Sequence, residues 1–161
     1  MKKLTLLFLI YFIYSCNFFG PIDEDKLKQT NSIEVVENDL KGEWKIDKFS
    51  YDLIHKKGTY AKDSLLLILD KDKKFIFKNL PDFFSPFNLN SKKFSNSDES
   101  GNWKIVKINN NYEIQFIFKK SNLFKSIFIS NFKLVKFKNN NSLLYFIGDP
   151  DSGERFLFIK K

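Results

Sequence analysis

Two side chains stand out as candidate reagents because each is the sole one of its kind. Cys16 carries the one thiol, a nucleophile or attachment point, and His55 the one imidazole, able to move a proton. Any dyad or triad built on histidine must be assembled around His55. That residue sits in Ile54-His55-Lys56-Lys57-Gly58, which reads as an exposed turn. A zinc site needs three or four ligands, more than one imidazole and one thiol supply. The six glycines form no phosphate-cradling loop. Asp149-Pro150-Asp151-Ser152-Gly153-Glu154 begins like a calcium loop but lacks the later ligands and the closing bidentate Glu. Its Pro and Gly suit a tight turn, and Asp70-Lys71-Asp72-Lys73 reads the same way. Among 19 acidic residues nothing singles out a carboxylate pair for acid–base work. No catalytic residue, metal or cofactor is assigned, and an enzyme is not expected.

What precedes Cys16 gives the thiol its meaning. Met1-Lys2-Lys3 is a cationic head, and Leu4 to Tyr14 is an uncharged run of 11 residues broken only by Thr5. A basic head, a short apolar run and a small residue before the cut are the layout of a secretory signal. As a helix the run reaches roughly 17 Å, short of the roughly 30 Å hydrocarbon core. Ile13-Tyr14-Ser15-Cys16 resembles the lipobox of bacterial lipoproteins. The resemblance implies that the Cys16 thiol is acylated, that the signal helix within residues 1–16 is cut away just before Cys16, and that Cys16 becomes the new N-terminus. Two alternatives stay open: ordinary secretion, and an uncleaved anchor in which Leu4 to Ile22, 19 residues without a charge, spans the bilayer. With lipid or anchor, Lys2 and Lys3 hold the N-terminus inside and the body lies outside. The expected location is the bacterial cell envelope, as an outer-membrane lipoprotein facing the periplasm or the surface.

The remaining roughly 145 residues make one domain by length, with room for a core that needs no disulfides. The net charge of +8 invites a nucleic-acid reading. Against it, every basic residue but Arg155 is Lys, whereas Arg is the preferred reader of phosphate and guanine. The bias toward Lys, Asn, Ile and Phe also has the stamp of an A/T-rich genome. No nucleic-acid partner is expected, while attraction to an anionic membrane face or an acidic polysaccharide stays open.

Residues 17–38 read as a flexible tether, with Pro21, Asp23-Glu24-Asp25 and Gln29-Thr30-Asn31-Ser32 offering little to pack. Residues 39–161 read as short strands between turns. Gly42 to Tyr51 forms the first, and a change of phase after Ile46 predicts a bulge. Ser64 to Leu69, Lys74 to Lys78, Gly101 to Ile108, Tyr112 to Phe118, a long stretch from Leu123 to Lys138 that is one bent strand or two joined near Ser130-Asn131, Leu143 to Ile147 and Glu154 to Lys160 follow. The triple-Asn runs at 109–111 and 139–141 read as turns. No 3.6-residue periodicity is long enough for a substantial helix. Alternating Lys and Phe, as in Lys74 to Lys78, is what half-buried strands produce. Asn79 to Ser100 stands apart as a long loop bearing Phe83, Phe84 and Phe87, too aromatic to be merely disordered. The predicted fold is an all-β antiparallel up-and-down (meander) barrel of about eight strands, closed so that no edge is left open.

Gly42-Glu43-Trp44 before the first strand resembles the Gly-x-Trp signature of lipocalins, and Gly101-Asn102-Trp103 repeats it. The resemblance implies that Trp44 plugs one barrel end with Arg155 lying over it as a structural cap. The body is similar to small lipocalin-like domains of lipoproteins in the Bacteroidota, which implies a binding barrel. The leading expectation is a small apolar or amphipathic ligand held near Phe83, Phe84, Phe87 and Trp103, with the aromatic loop as a lid. The alternative is a filled barrel that binds another envelope protein. A monomer is expected.

Overall fold

Alternation of large apolar and polar residues with a period of two makes each strand bury one face and wet the other. In the computed structural model, which describes residues 27–29, 37–58, 61, 64–85, 95–109 and 111–161, that alternation builds a barrel. The strands are β1 (Leu27–Gln29), β2 (Gly42–Ile46), β3 (Leu66–Leu69), β4 (Lys74–Pro81), β5 (Asn96–Ile108), β6 (Asn111–Phe118), β7 (Phe128–Phe137), β8 (Asn140–Phe146) and β9 (Arg155–Lys160). Strands β2 to β9 pair in sequence order, each antiparallel to the next, and β9 returns to β2 through Trp44 opposite Lys160 and Ile46 opposite Phe158. The result is the expected eight-stranded closed meander. On β4, Phe75 and Phe77 point inward and Ile76 outward; on β6, Ile114, Phe116 and Phe118 point inward.

The turns follow local chemistry. The Asp70 carboxylate accepts from the backbone N–H of Asp72 at 2.9 Å and of Lys74 at 2.8 Å, shaping the β3–β4 turn. Between β7 and β8 the two-residue connection is Lys138-Asn139, both at positive φ (50° and 66°), one position before the predicted triple-Asn turn. Positive φ at both central residues matches the twist of a tight hairpin.

Three expectations are corrected, and one further feature of the wall emerges. The first strand stops at Ile46, and a helix, α2 (Lys48–Lys57), follows a short α1 (Glu37–Leu40). The phase change after Ile46 is therefore a switch from strand to helix and not a bulge. Asp47 caps α2 by accepting from the Ser50 N–H at 2.9 Å, and Ser50 and Ile54, four apart, are its buried residues. The expected tether is also interrupted: Leu27–Gln29 pairs with Val135, Lys136 and Phe137 of β7. The long aromatic loop is shorter than predicted, because β4 runs to Pro81, a 3-10 turn covers Asp82–Phe84, and β5 starts at Asn96. Last, β7 changes partner at Lys133: residues 128–133 pair with β6, and residues 133–137 with β8. β1 takes the edge that β6 gives up.

Candidate functional site

The interior is where a ligand would sit in a barrel of this size. Among the described residues its positions are filled by side chains. Phe77 lies at the centre, with the rings of Phe75, Phe84, Phe116, Phe118, Phe132 and Phe158 between 5.5 and 6.1 Å from it, centroid to centroid. Many of these pairs are tilted or edge-on, the arrangement that favours the ring quadrupoles. Both ends are capped. At one end Leu40 of α1 is fully buried, and the Trp44 indole N–H donates to the Leu40 carbonyl at 2.9 Å. At the other, α2 and the 3-10 turn at Asp82–Phe84 pack inward. Asp82 fastens the base of that turn to β5, accepting from the Ser95 hydroxyl at 2.9 Å and from its N–H at 3.2 Å.

The expected binding residues are therefore core residues. Phe83, Phe84 and Trp103 are all buried. Phe84 stacks on Tyr145 at 4.5 Å, and Phe83 lies under the Lys57 ammonium at 5.2 Å. Phe87 and Cys16 lie outside the described residues. Trp103 faces inward from β5, with its backbone N–H bonded to the Lys73 carbonyl at 2.8 Å.

Arg155 does not lie over Trp44. The two are at opposite ends of the barrel, because Trp44 is opposite Lys160 at the far end of β9, and it is Lys160 that stands over the indole, at 6.0 Å. Arg155 instead sits 4.8 Å over Phe49 and donates to the Asp47 carboxylate at 3.4 and 3.5 Å. Asp47 also accepts from the Ser50 hydroxyl, whose oxygen accepts from the buried Leu157 N–H at 2.9 Å. This chain ties the start of α2 to β9. Asp47→Ala is expected to lower unfolding free energy by about 2 kcal/mol, the upper range for a lost helix cap, as read by urea denaturation.

His55 is on α2 and not in a turn. It stacks on Tyr51 at 5.7 Å and lines a groove of about 360 Å³ with Phe49, Asp52, Leu53 and Lys56. Among the described residues no group of three or more His, Cys, Asp or Glu side chains is placed to hold a metal, and no helix is long and apolar enough to cross a membrane. Sequence reasoning missed Glu99, buried on the inward face of β5 and accepting from the Ser97 hydroxyl at 2.7 Å. Its place in the alternation with Gly101 and Trp103 was the available signal.

The change of partner along β7 leaves a seam. From Phe128 to Phe132 the β8-facing edge has no strand partner among the described residues, and the wall is closed there by Tyr145 stacked on Phe132 at 4.9 Å. Burial pushes the Tyr145 phenol above its ordinary value of 10.0, and the nearby Ser130 hydroxyl opposes that shift. The folded chain thus holds this proton more tightly than the unfolded one. The stabilisation is intact below pH 10 and is lost as pH rises through the folded-state value. Tyr145→Phe is expected to keep the stack and move the onset of alkaline unfolding upward, as followed by circular dichroism. At the outer mouth of the seam Ile127 and Ile129 are 70% and 54% exposed, the most exposed large apolar side chains among the described residues.

No protein-family model matches the chain, and no curated protein or solved structure is significantly similar to it.

Proposed function

We propose that this chain is an exported lipoprotein, held in the bacterial envelope by acyl chains on Cys16, whose lipocalin-like barrel works through its outside by binding a protein partner. This reverses the order of the two sequence readings. The observation that supports it is the ring cluster around Phe77, which occupies the volume a small ligand would need. The surface that fits a partner is the segment Ile127 to Phe132: uncharged, free of Pro, rich in β-formers and carrying an edge with no strand partner among the described residues. Such an edge accepts an added strand through main-chain hydrogen bonds, with exposed side chains supplying selectivity.

The test is capture from detergent-solubilised envelopes, run beside uptake of a fluorescent fatty acid. Wild-type chain is expected to retain a stoichiometric protein that Ile129→Lys loses by about tenfold or more, the scale of an anchor residue in an interface. Fatty-acid uptake with no retained protein would restore the carrier reading.

A further inference from the structure

The charge of the barrel is unevenly placed, and the uneven part lies where the N-terminal segment joins. Because β5 and β7 run the same way, the β5–β6 and β7–β8 hairpins turn at one end of the barrel. These hairpins carry Lys107, Lys136 and Lys138 in their outer halves and Lys104 and Lys133 further back, against Glu113, and the β3–β4 turn, α1 and the β2 and β9 ends on the same rim add Lys41, Lys71, Lys73, Lys74, Lys160 and Lys161 against Glu37, Asp39, Glu43, Asp70 and Asp72. Among the described residues none of the five hairpin lysines is in an ion pair. Lys107, Lys133 and Lys138 lie instead over the rings of Tyr112, Phe146 and Phe137 at 5.3 to 5.7 Å. Ile108, at the β5–β6 tip, is 38% exposed. The opposite end carries Asp47, Asp52, Asp82, Asp149, Asp151 and Glu154 around α2 and the β8–β9 turn, where Lys48, Lys57 and Arg155 are consumed in ion pairs and Lys56, Lys119, Lys120 and Lys125 bring the end close to neutral.

β1 enters at this basic end. Leu27 is opposite Phe137, the last residue of β7, and β1 runs antiparallel to β7, so the first residue of β1 lies at the hairpin-tip end. Ten residues separate Cys16 from Leu27, a stretch that spans at most roughly 35 Å. A lipid-linked Cys16 therefore keeps this end near the headgroups.

We infer that the β5–β6 and β7–β8 tips are a docking face for an anionic lipid bilayer, which orients the barrel upright with α2 pointing away from the membrane. The inference rests on the proposed N-terminal attachment for proximity and on the lysines for orientation. Basic side chains near an anionic surface are attracted individually, within a Debye length, and the attraction is screened by salt. Ile108 adds an apolar contact at the same level.

The experiment uses the full chain reconstituted on vesicles of phosphatidylglycerol or of phosphatidylcholine, with amine-reactive labelling read by mass spectrometry. On the anionic vesicles Lys107, Lys136 and Lys138 are expected to be labelled about threefold or more slowly, while Lys48 and Lys56 beside α2 label at equal rates on both. Half-molar salt should abolish the difference. In the triple variant Lys107→Glu, Lys136→Glu, Lys138→Glu the remaining lysines are expected to label at equal rates on both vesicles. Equal labelling at both ends, protection at the α2 end, or equal protection on the neutral vesicles overturns the inference. The mass of the N-terminal peptide in the same digest reports acylation of Cys16 separately, so failure of the anchor and failure of the docking face give different results.

Discussion

Gly101→Ala is expected to destabilise the barrel by at least about 3 kcal/mol, the top of the usual range for overpacking. A methyl group built at Gly101 would stand 2.0 Å from the Ile117 carbonyl oxygen and 2.8 Å from the Phe75 ring. A ring can rotate aside, but the carbonyl is backbone and belongs to β6, which pairs with β5 from Gly101 to Ile108. Relief therefore means separating two strands of a closed wall. Gly101 faces inward between Glu99 and Trp103 and is opposite both Phe75 and Phe118, so the absence of a side chain lets β6 approach. With net stabilities of small domains near 5–15 kcal/mol, the variant should be recovered largely unfolded or with a midpoint shifted far down in urea. Wild-type stability for Gly101→Ala would show that the strands separate there at no cost.

Phe77→Ala carries the second large effect, about 3–5 kcal/mol, the usual cost of deleting a buried aromatic ring. Its six ring neighbours come from β4, β5's partner β6, β7, β9 and the Asp82–Phe84 turn, so no single element can move in to fill the space. The cavity should persist, and that gives the variant a second use. If small apolar molecules such as benzene raise the melting temperature of Phe77→Ala and leave wild type unchanged, the wild-type interior is closed because it is filled. Equal stabilisation of both would place the binding space elsewhere.

The strands were readable because nearly all are half-buried, and Phe75–Phe77 or Ile114–Phe118 write inside and outside in alternate letters. α2 was not readable as a helix because its apolar residues are few: only Ser50 and Ile54 are buried, and Phe49 is half exposed. Asp47 three before Ser50 was the signal, since a capping carboxylate ends a strand as well as starting a helix. β1 left no trace in composition, because three residues joined to an edge need main-chain bonds and little side-chain pattern. The Arg155 misplacement has a geometric origin. Six residues of β9 span the barrel, so a cation at its first residue and one at its sixth serve opposite ends, and spacing along the chain does not say which one meets Trp44. The inward Phe83 and Phe84 were identified as important, but a filled core and a binding pocket draw on the same residue types.

Closure of the wall joins β2 to β9, with Trp44 opposite Lys160. That contact spans more than a hundred residues of chain, and β1 to β7 spans a similar distance. Long-range pairing of this kind makes folding slow and keeps it from starting in earnest until the last strand is present. A ribosome or a translocation channel would thus handle an extended polypeptide for the whole of its passage. Assembly would come as a single late event, and any truncation that removes β9 would forfeit the structure as a whole instead of trimming one edge.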